Sequence, residues 1–234
     1  MNFKKILIPI LLTAIPITTG LFSYFLTIHC VNKAHEKELR RIAQEYYDNK
    51  VKEFKEENKT LTDVDISFIG DSLTDAYDVK YYYPEYNVVN RGIGGDTTFG
   101  VERRLDVSAY EVNPKVLTLL IGANNFKTMF DNYENILKGF KDNIPNTKVV
   151  LLSLTSMTYQ WGRNNKIAQE NNKRIKAYAD EYGYTYVDLY NPLLDPSTNE
   201  LKEEYTTDGG HFTPLGYEKV TSIIKPVVTS LLIL

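Results

Sequence analysis

From residue 64 onward, five short apolar runs at residues 66–69, 88–89, 116–121, 149–154 and 184–189 are separated by polar stretches, several of which carry helical spacing. Runs this brief, bounded by turn residues, read as buried strands. Helical spacing is clearest at residues 131–143, at 164–182 through Ala168, Ile175, Tyr178 and Tyr182, and at 213–232, where Pro226 is expected to interrupt a final helix. Strands alternating with helices imply a parallel sheet covered on both faces. In such sheets ligands bind beyond the carboxyl ends of the strands, so the residues just past each strand are where chemistry is to be sought.

The region before residue 64 has a different character. Residues 6–28 form a run of 23 residues without a charge, preceded by Lys4 and Lys5. At about 1.5 Å per residue such a helix matches the roughly 30 Å hydrocarbon layer, and the run is longer than the apolar part of a cleaved signal. It is expected to be an uncleaved single-pass membrane segment, with residues 1–30 as anchor and a cleaved signal peptide as the alternative. The basic residues before the run resemble an export signal and favour an extracytoplasmic domain, although Lys33, Lys37, Arg40 and Arg41 on the other side leave the charge rule undecided. Residues 31–63 are rich in mixed charge, with Leu39, Ala43, Tyr47, Val51 and Phe54 at three- or four-residue spacing. That predicts a helix with one narrow apolar stripe, serving as a stalk or packing on a domain at residues 64–234.

Charge and rare residues narrow the function. A formal net charge of -3 offers no attraction to polyanions, so nucleic-acid binding has no electrostatic basis. Cys30 is the single cysteine and precedes the domain, which excludes an internal disulfide, a multi-cysteine metal site or a thiol nucleophile there. Of three histidines, His29 and His35 flank the N-terminal segment, leaving His211 as the imidazole available to the domain.

Four turns carry residues suited to chemistry. The first strand runs into Gly70-Asp71-Ser72-Leu73, which presents a serine at the strand's carboxyl end. The second leads into the glycine-rich stretch of residues 90–98, Asn90-Arg91-Gly92-Ile93-Gly94-Gly95-Asp96-Thr97-Thr98, whose backbone N–H groups can converge on negative charge; its spacing is not that of a dinucleotide fingerprint. The third ends in Gly122-Ala123-Asn124-Asn125, where Asn124 can donate to a developing oxyanion. Near the C-terminus, Asp208-Gly209-Gly210-His211 places a carboxylate three residues before the histidine. A serine hydroxyl needs an imidazole to take its proton, and the imidazole needs a carboxylate to set its tautomer. Each turn alone is ordinary; their conjunction is not.

Taken together these turns resemble the blocks of the SGNH (GDSL) hydrolase family, matched by Gly70-Asp71-Ser72-Leu73, by Gly95, by Asn124 and by Asp208 with His211, over roughly residues 65–232. The resemblance implies a flavodoxin-like three-layer α/β/α fold and ester hydrolysis without a cofactor. It also implies an oxyanion hole made from the backbone N–H groups of Ser72 and Gly95 and the Asn124 side chain. One departure is visible: many members carry aspartate directly after the oxyanion asparagine, and this chain has Asn125, which puts the support of that loop in doubt.

The expectation is a membrane-anchored serine esterase with Ser72, His211 and Asp208 as triad, acting on acyl esters of small molecules, glycans or lipids, with acetyl esters and lysophospholipids as the candidate substrates. Two alternatives share the scaffold: an O-acyltransferase that passes the acyl group to a glycan hydroxyl, and an inactive surface binding protein. The aromatic residues Tyr77, Tyr81, Tyr82, Tyr83 and Tyr86, with Tyr159 and Trp161, either line the substrate site or pack the surface.

Overall fold

The computed structural model describes residues 4–161 and 165–233, and for residues 4–28 the backbone alone. The chain divides into two compact units, Met1–Tyr46 and Tyr47–Leu234. Helix α1 (Lys4–Asn58) begins in the first and ends in the second. The expected membrane segment at residues 6–28 lies outside the residues whose side chains are described; among the described residues no helix is long and apolar enough to cross a membrane. In the first unit, residues 29–46 are exposed and paired along the helix by ion pairs such as Arg40 with Glu36 and Arg41 with Glu38. Exposed pairs of this kind are screened by solvent and add little to stability.

The second unit is built on five strands. They are β1 (Ile66–Gly70), β2 (Val88–Gly92), β3 (Val116–Leu120), β4 (Lys148–Leu152) and β5 (Thr185–Val187). All neighbours are parallel and their order is β2-β1-β3-β4-β5, the doubly wound order of flavodoxin-like sheets. Each apolar run read from the sequence forms one of these strands. Between β1 and β2 lie two short helices, α2 (Ser72–Asp75) and α3 (Val79–Tyr82). α4 (Thr98–Arg103) follows β2, α5 (Tyr133–Asn143) precedes β4, and α6 (Asn165–Tyr182) leads to β5. A one-turn helix α7 (Tyr190–Leu193), a small hairpin of β6 (Leu194–Asp195) and β7 (Glu200–Leu201), and α8 (Pro214–Ile233) complete the unit.

Alternate strand residues face opposite layers, as a two-residue period requires. Ile69, Leu117, Leu119, Val149 and Leu151 pack against Val101 of α4, Ile136, Leu137 and Phe140 of α5, and Ile175 of α6. Ile66, Phe68, Val116, Leu120, Val150 and Leu152 pack against Leu73, Val79 and, from α8, Tyr217, Val220 and Ile224. The sheet is thus buried on both sides, which is why its strands read as unbroken apolar runs.

The last helix departs from the expected pattern. α8 continues through Pro226 instead of breaking there. Pro226 sits on the exposed face, where the carbonyl it leaves without an N–H partner can be hydrated, while Ile224 and Val228 on either side are buried and hold the helix down. Residues 47–58 of α1 belong to the second unit: Phe54 is buried, and the Tyr47 hydroxyl donates to the Gly100 carbonyl at 2.8 Å.

Beneath the carboxyl edge of the sheet lies a buried cation, Arg104, with side chain 0% exposed. Its Nε donates to Asp96 Oδ2 at 2.9 Å, one terminal nitrogen to the Arg91 carbonyl and the Ser108 hydroxyl, and the other to the Gly70 carbonyl. Asp96 is itself nearly inaccessible; burial pushes its carboxyl above the ordinary range, with Arg104 opposing that shift. Removing the cation leaves a buried carboxylate alone, so Arg104→Met is expected to cost about 3–5 kcal/mol in urea denaturation. Because a carboxyl raised in the folded state holds its proton more tightly there, stability falls as pH rises. The loss in the variant should therefore be larger at neutral pH than near pH 4.

Candidate active site

The site is assembled from four connections at the carboxyl edge of the sheet. At the end of β1 the chain turns sharply into α2: the buried Asp71 caps the helix by accepting the Leu73 N–H at 3.1 Å, and Ser72 becomes its first residue. Asn90 of β2 holds this turn in place. Its side-chain amide donates to the carbonyls of Thr74 at 2.7 Å and Tyr77 at 2.9 Å, and its carbonyl oxygen accepts the Gly92 N–H.

The glycine-rich turn after β2 is braced from both sides. Gly94 N–H donates to Asp75 Oδ2 at 2.9 Å, Thr97 N–H donates to Asp96 Oδ1, and the Asp96 carboxylate reaches down to Arg104. Gly95 stands exposed at φ +75°, in the left-handed region that favours glycine. Among the described residues no acceptor engages the N–H of either Ser72 or Gly95. From the loop after β3, Asn124 donates one N–H of its carboxamide to the Asp96 carbonyl at 2.8 Å, which leaves its second N–H for another acceptor. The neighbouring Asn125 is well supported: its carboxamide donates to the Thr98 hydroxyl at 2.9 Å and accepts the Thr98 N–H, and that hydroxyl donates to Asn132. The departure at Asn125 therefore leaves its loop tied to α4.

The last connection, between β7 and α8, is a tight loop closed by a bridge between Thr206 and Phe212. The Thr206 hydroxyl donates to the His211 carbonyl and accepts the Gly209 N–H. This folds Asp208 and His211 against each other. His211 Nδ1 lies 2.7 Å from Asp208 Oδ2, and His211 Nε2 lies 2.9 Å from Ser72 Oγ. The structure thus brings together Ser72, His211 and Asp208, with Asn124 beside them, while Gly95 sits on the braced turn.

Asp208 is governed by hydrogen bonds. Burial pushes its carboxyl up, but donation from His211 Nδ1, from the backbone N–H groups of His211 and Gly210, and from the Trp161 indole outweighs this and holds it well below the usual carboxylate range. Being ionised, it accepts the Nδ1–H and leaves the Nε2 lone pair facing the Ser72 hydroxyl. In this arrangement the imidazole can remove the serine proton and the carboxylate can stabilise the imidazolium that results.

Trp161 is the site residue whose role composition alone does not expose. Its Nε1 donates to Asp208 Oδ1 at 3.0 Å, and its ring meets the His211 ring edge-on at 4.9 Å between centroids. A Cβ on Gly210 would lie 2.4 Å from the indole, so this glycine is required for the ring to close over the loop. The other aromatics divide differently. Tyr77 and Tyr83 are buried beside Phe68, with Tyr217 stacked on Tyr77; Tyr81 and Tyr159 point into solvent. A small crevice of about 20 Å³ is lined by Ser72 and His211 together with Leu73, Ala123, Asn124, Met157 and Trp161.

A model of the GDSL-like Lipase/Acylhydrolase family matches residues 68–219. No curated protein matches the chain. Among solved structures, it is similar to a Streptococcus pneumonia protein whose name refers to platelet activating factor, at 26% identity and TM-score 0.77, covering 82% of this chain and 97% of that one. It is also similar to a GDSL-like lipase from Bacteroides thetaiotaomicron VPI-5482, at 25% identity and TM-score 0.68, covering 77% and 97%. An acetyl-xylooligosaccharide esterase from Geobacillus Stearmophilus shares the fold at 18% identity and TM-score 0.57, over 70% and 94%.

Trp161→Phe keeps the ring and deletes the donor to Asp208. The Asp208 carboxyl should then titrate closer to its ordinary range, measurable by carbon NMR. Turnover should drop about 10-fold, the worth of one hydrogen bond to a charged group.

Proposed function

Because the chain belongs to the GDSL-like Lipase/Acylhydrolase family, we propose that it is a serine esterase that removes short acyl groups, acetyl above all, from hydroxylated substrates. The observation that carries this is the continuous relay from Asp208 through His211 to Ser72, with contacts of 2.7 and 2.9 Å, opening on a crevice with room for about one water-sized group.

The chemistry follows from that geometry. Ser72 Oγ attacks the ester carbonyl carbon while His211 Nε2 takes its proton. Negative charge develops on the former carbonyl oxygen, and the backbone N–H groups of Ser72 and Gly95 with the spare Asn124 N–H donate to it. The tetrahedral species collapses: the alcohol leaves with the proton held by His211, and the acyl group stays on Ser72. Water then repeats the attack, deprotonated by the same imidazole, and releases the acid. No cofactor is required by any of these steps.

Crevice size supports the choice of acyl group. Leu73, Ala123, Met157 and Trp161 stand around the Ser72 hydroxyl, and the crevice of about 20 Å³ between them has room for a methyl group. Recognition of a lysophospholipid would draw on burial of its chain, about 0.8 kcal/mol per methylene, and such burial needs a channel. The proposal also places the domain at a membrane face, tethered by the apolar run at residues 6–28. On that basis the full chain should stay in the membrane fraction after alkaline carbonate washing; release into the supernatant would remove the tether.

An acyl-chain series of chromogenic esters tests the main proposal. Hydrolysis should be greatest with acetate and fall steeply beyond about four carbons, and Ser72→Ala should reduce it to background. Asn124→Ala should lose about 10²- to 10³-fold in turnover, the usual cost of one oxyanion donor. Activity that rises with chain length would replace the acetyl assignment with a lysophospholipase, and activity in Ser72→Ala would remove the nucleophile.

A further inference from the structure

Residues 47–58 of α1 reach nearly every segment that shapes the nucleophile side of the site. Glu57 pairs with the guanidinium of Arg91 in β2, and Asn58 accepts from the same group at 2.8 Å. Asn58 also donates to the Val107 carbonyl, and the Phe54 ring lies 4.8 Å below the Arg91 guanidinium. These contacts seat the helix. One further contact reaches closer to the reacting atoms. Lys50 Nζ lies 2.9 Å from Asp75 Oδ1, and the other oxygen of that carboxylate, Oδ2, accepts the Gly94 N–H at 2.9 Å. Asp75 is the third residue after Ser72, and Gly94 directly precedes Gly95.

We propose that Lys50 is a positioning residue for ester hydrolysis: through the two oxygens of Asp75 it fixes the Gly94–Gly95 turn, and so the direction of the Gly95 N–H, relative to Ser72. The inference rests on the esterase function proposed above.

The physical case is one of orientation. Gly95 has a left-handed backbone, is exposed, and no atom would come within 4 Å of a Cβ placed on it, so packing does not hold this residue. What restrains the turn is polar: the Asp96 bonds after it and the Asp75 bond before it. The Asp75 carboxylate spans two partners, with Oδ2 on the Gly94 N–H and Oδ1 on the Lys50 ammonium, so the ion pair adds a restraint on the plane of the group that accepts from the turn. With both side chains less than a quarter exposed, the pair is largely shielded from water. Donors that are aimed before the charge develops are the ones that lower a barrier, and a displacement of about 1 Å can cost about 10²-fold.

The test uses the full-length chain in detergent with an acetyl ester and methylboronic acid, whose methyl group matches the acyl crevice. Boron accepts the Ser72 Oγ lone pair, the serine proton passes to His211, and the tetrahedral adduct probes the oxyanion donors without turnover. Lys50→Met should lower kcat about 10- to 100-fold with KM unchanged within about two-fold, and should weaken the boronic acid by a similar factor to kcat. Lys50→Arg should restore most of both. Lys52→Met, an exposed position on the same helix, should match the wild type. A fully active Lys50→Met with normal boronic-acid affinity overturns the inference alone. So does a defect confined to KM, or one that follows a fall in Tm and is not rescued by arginine. A wild-type chain that hydrolyses no acetyl ester above its Ser72→Ala control overturns the esterase function and the inference with it.

Discussion

The Arg104 guanidinium is the group on which the reacting half of this molecule depends. It carries a positive charge where almost no water reaches, and such a charge is tolerated only when its donors are met. They are met by the ends of two strands, through the carbonyls of Gly70 and Arg91, by the Ser108 hydroxyl and by the Asp96 carboxylate. Those acceptors belong to different segments. Gly70 lies two residues before Ser72, and Asp96 directly follows Gly95 while its carbonyl holds Asn124. The requirement to satisfy one buried cation therefore sets the distance between the Ser72 turn and both loops proposed to supply the oxyanion donors.

The interaction also explains why the chain invests polar contacts where an apolar core would be simpler. Replacing a buried ion pair by apolar residues is often neutral or favourable for stability. Apolar side chains, however, have no direction. A guanidinium with donors in a rigid plane specifies where each acceptor must sit, and an oxyanion hole is a problem of placement. Phe54 supports that plane from below, with Arg91 at 4.8 Å and Arg104 at 5.9 Å from its ring. The end of α1 is thus part of the same construction, which its apolar stripe indicated only as a choice between a stalk and a packed helix.

What could be read in the sequence was whatever leaves a period or a short motif. Five strands announced themselves because a sheet buried on both faces needs continuous apolar runs, and Ser72, Gly95, Asn124, Asp208 and His211 because each sits in a turn with recognisable residues. The contacts that aim those residues had no such signature. Arg104 and Asp96 look like surface charges until the fold places them under the sheet edge, and Lys50 is one lysine among several in a charged helix. The five-residue π-helical segment Asp106–Tyr110, which delivers Ser108 to Arg104, follows neither a strand nor an α-helical period. Trp161 was visible as an aromatic near the site, but its bond to Asp208 depends on a loop 47 residues away. Pro226 misled for the opposite reason: a strong local rule yielded to burial on both sides of it.

The two halves of the site are held by different physics. Ser72 and its neighbours are fastened to a water-excluded ion pair. Asp208 and His211 lie on a surface loop, with side chains 48% and 36% exposed. At that exposure solvent screens the attraction between carboxylate and imidazolium, and a low local dielectric cannot be what stabilises the charged histidine. The work falls to hydrogen bonds instead. Asp208 Oδ1 takes two backbone N–H groups and the Trp161 indole, which leaves Oδ2 for His211. A carboxylate fully engaged in this way cannot rotate away from the imidazole, so the tautomer that presents Nε2 to Ser72 is maintained by geometry rather than by burial. An exposed imidazole suits the proposed hydrolysis, in which water must reach His211 in the second step, after the alcohol has gone.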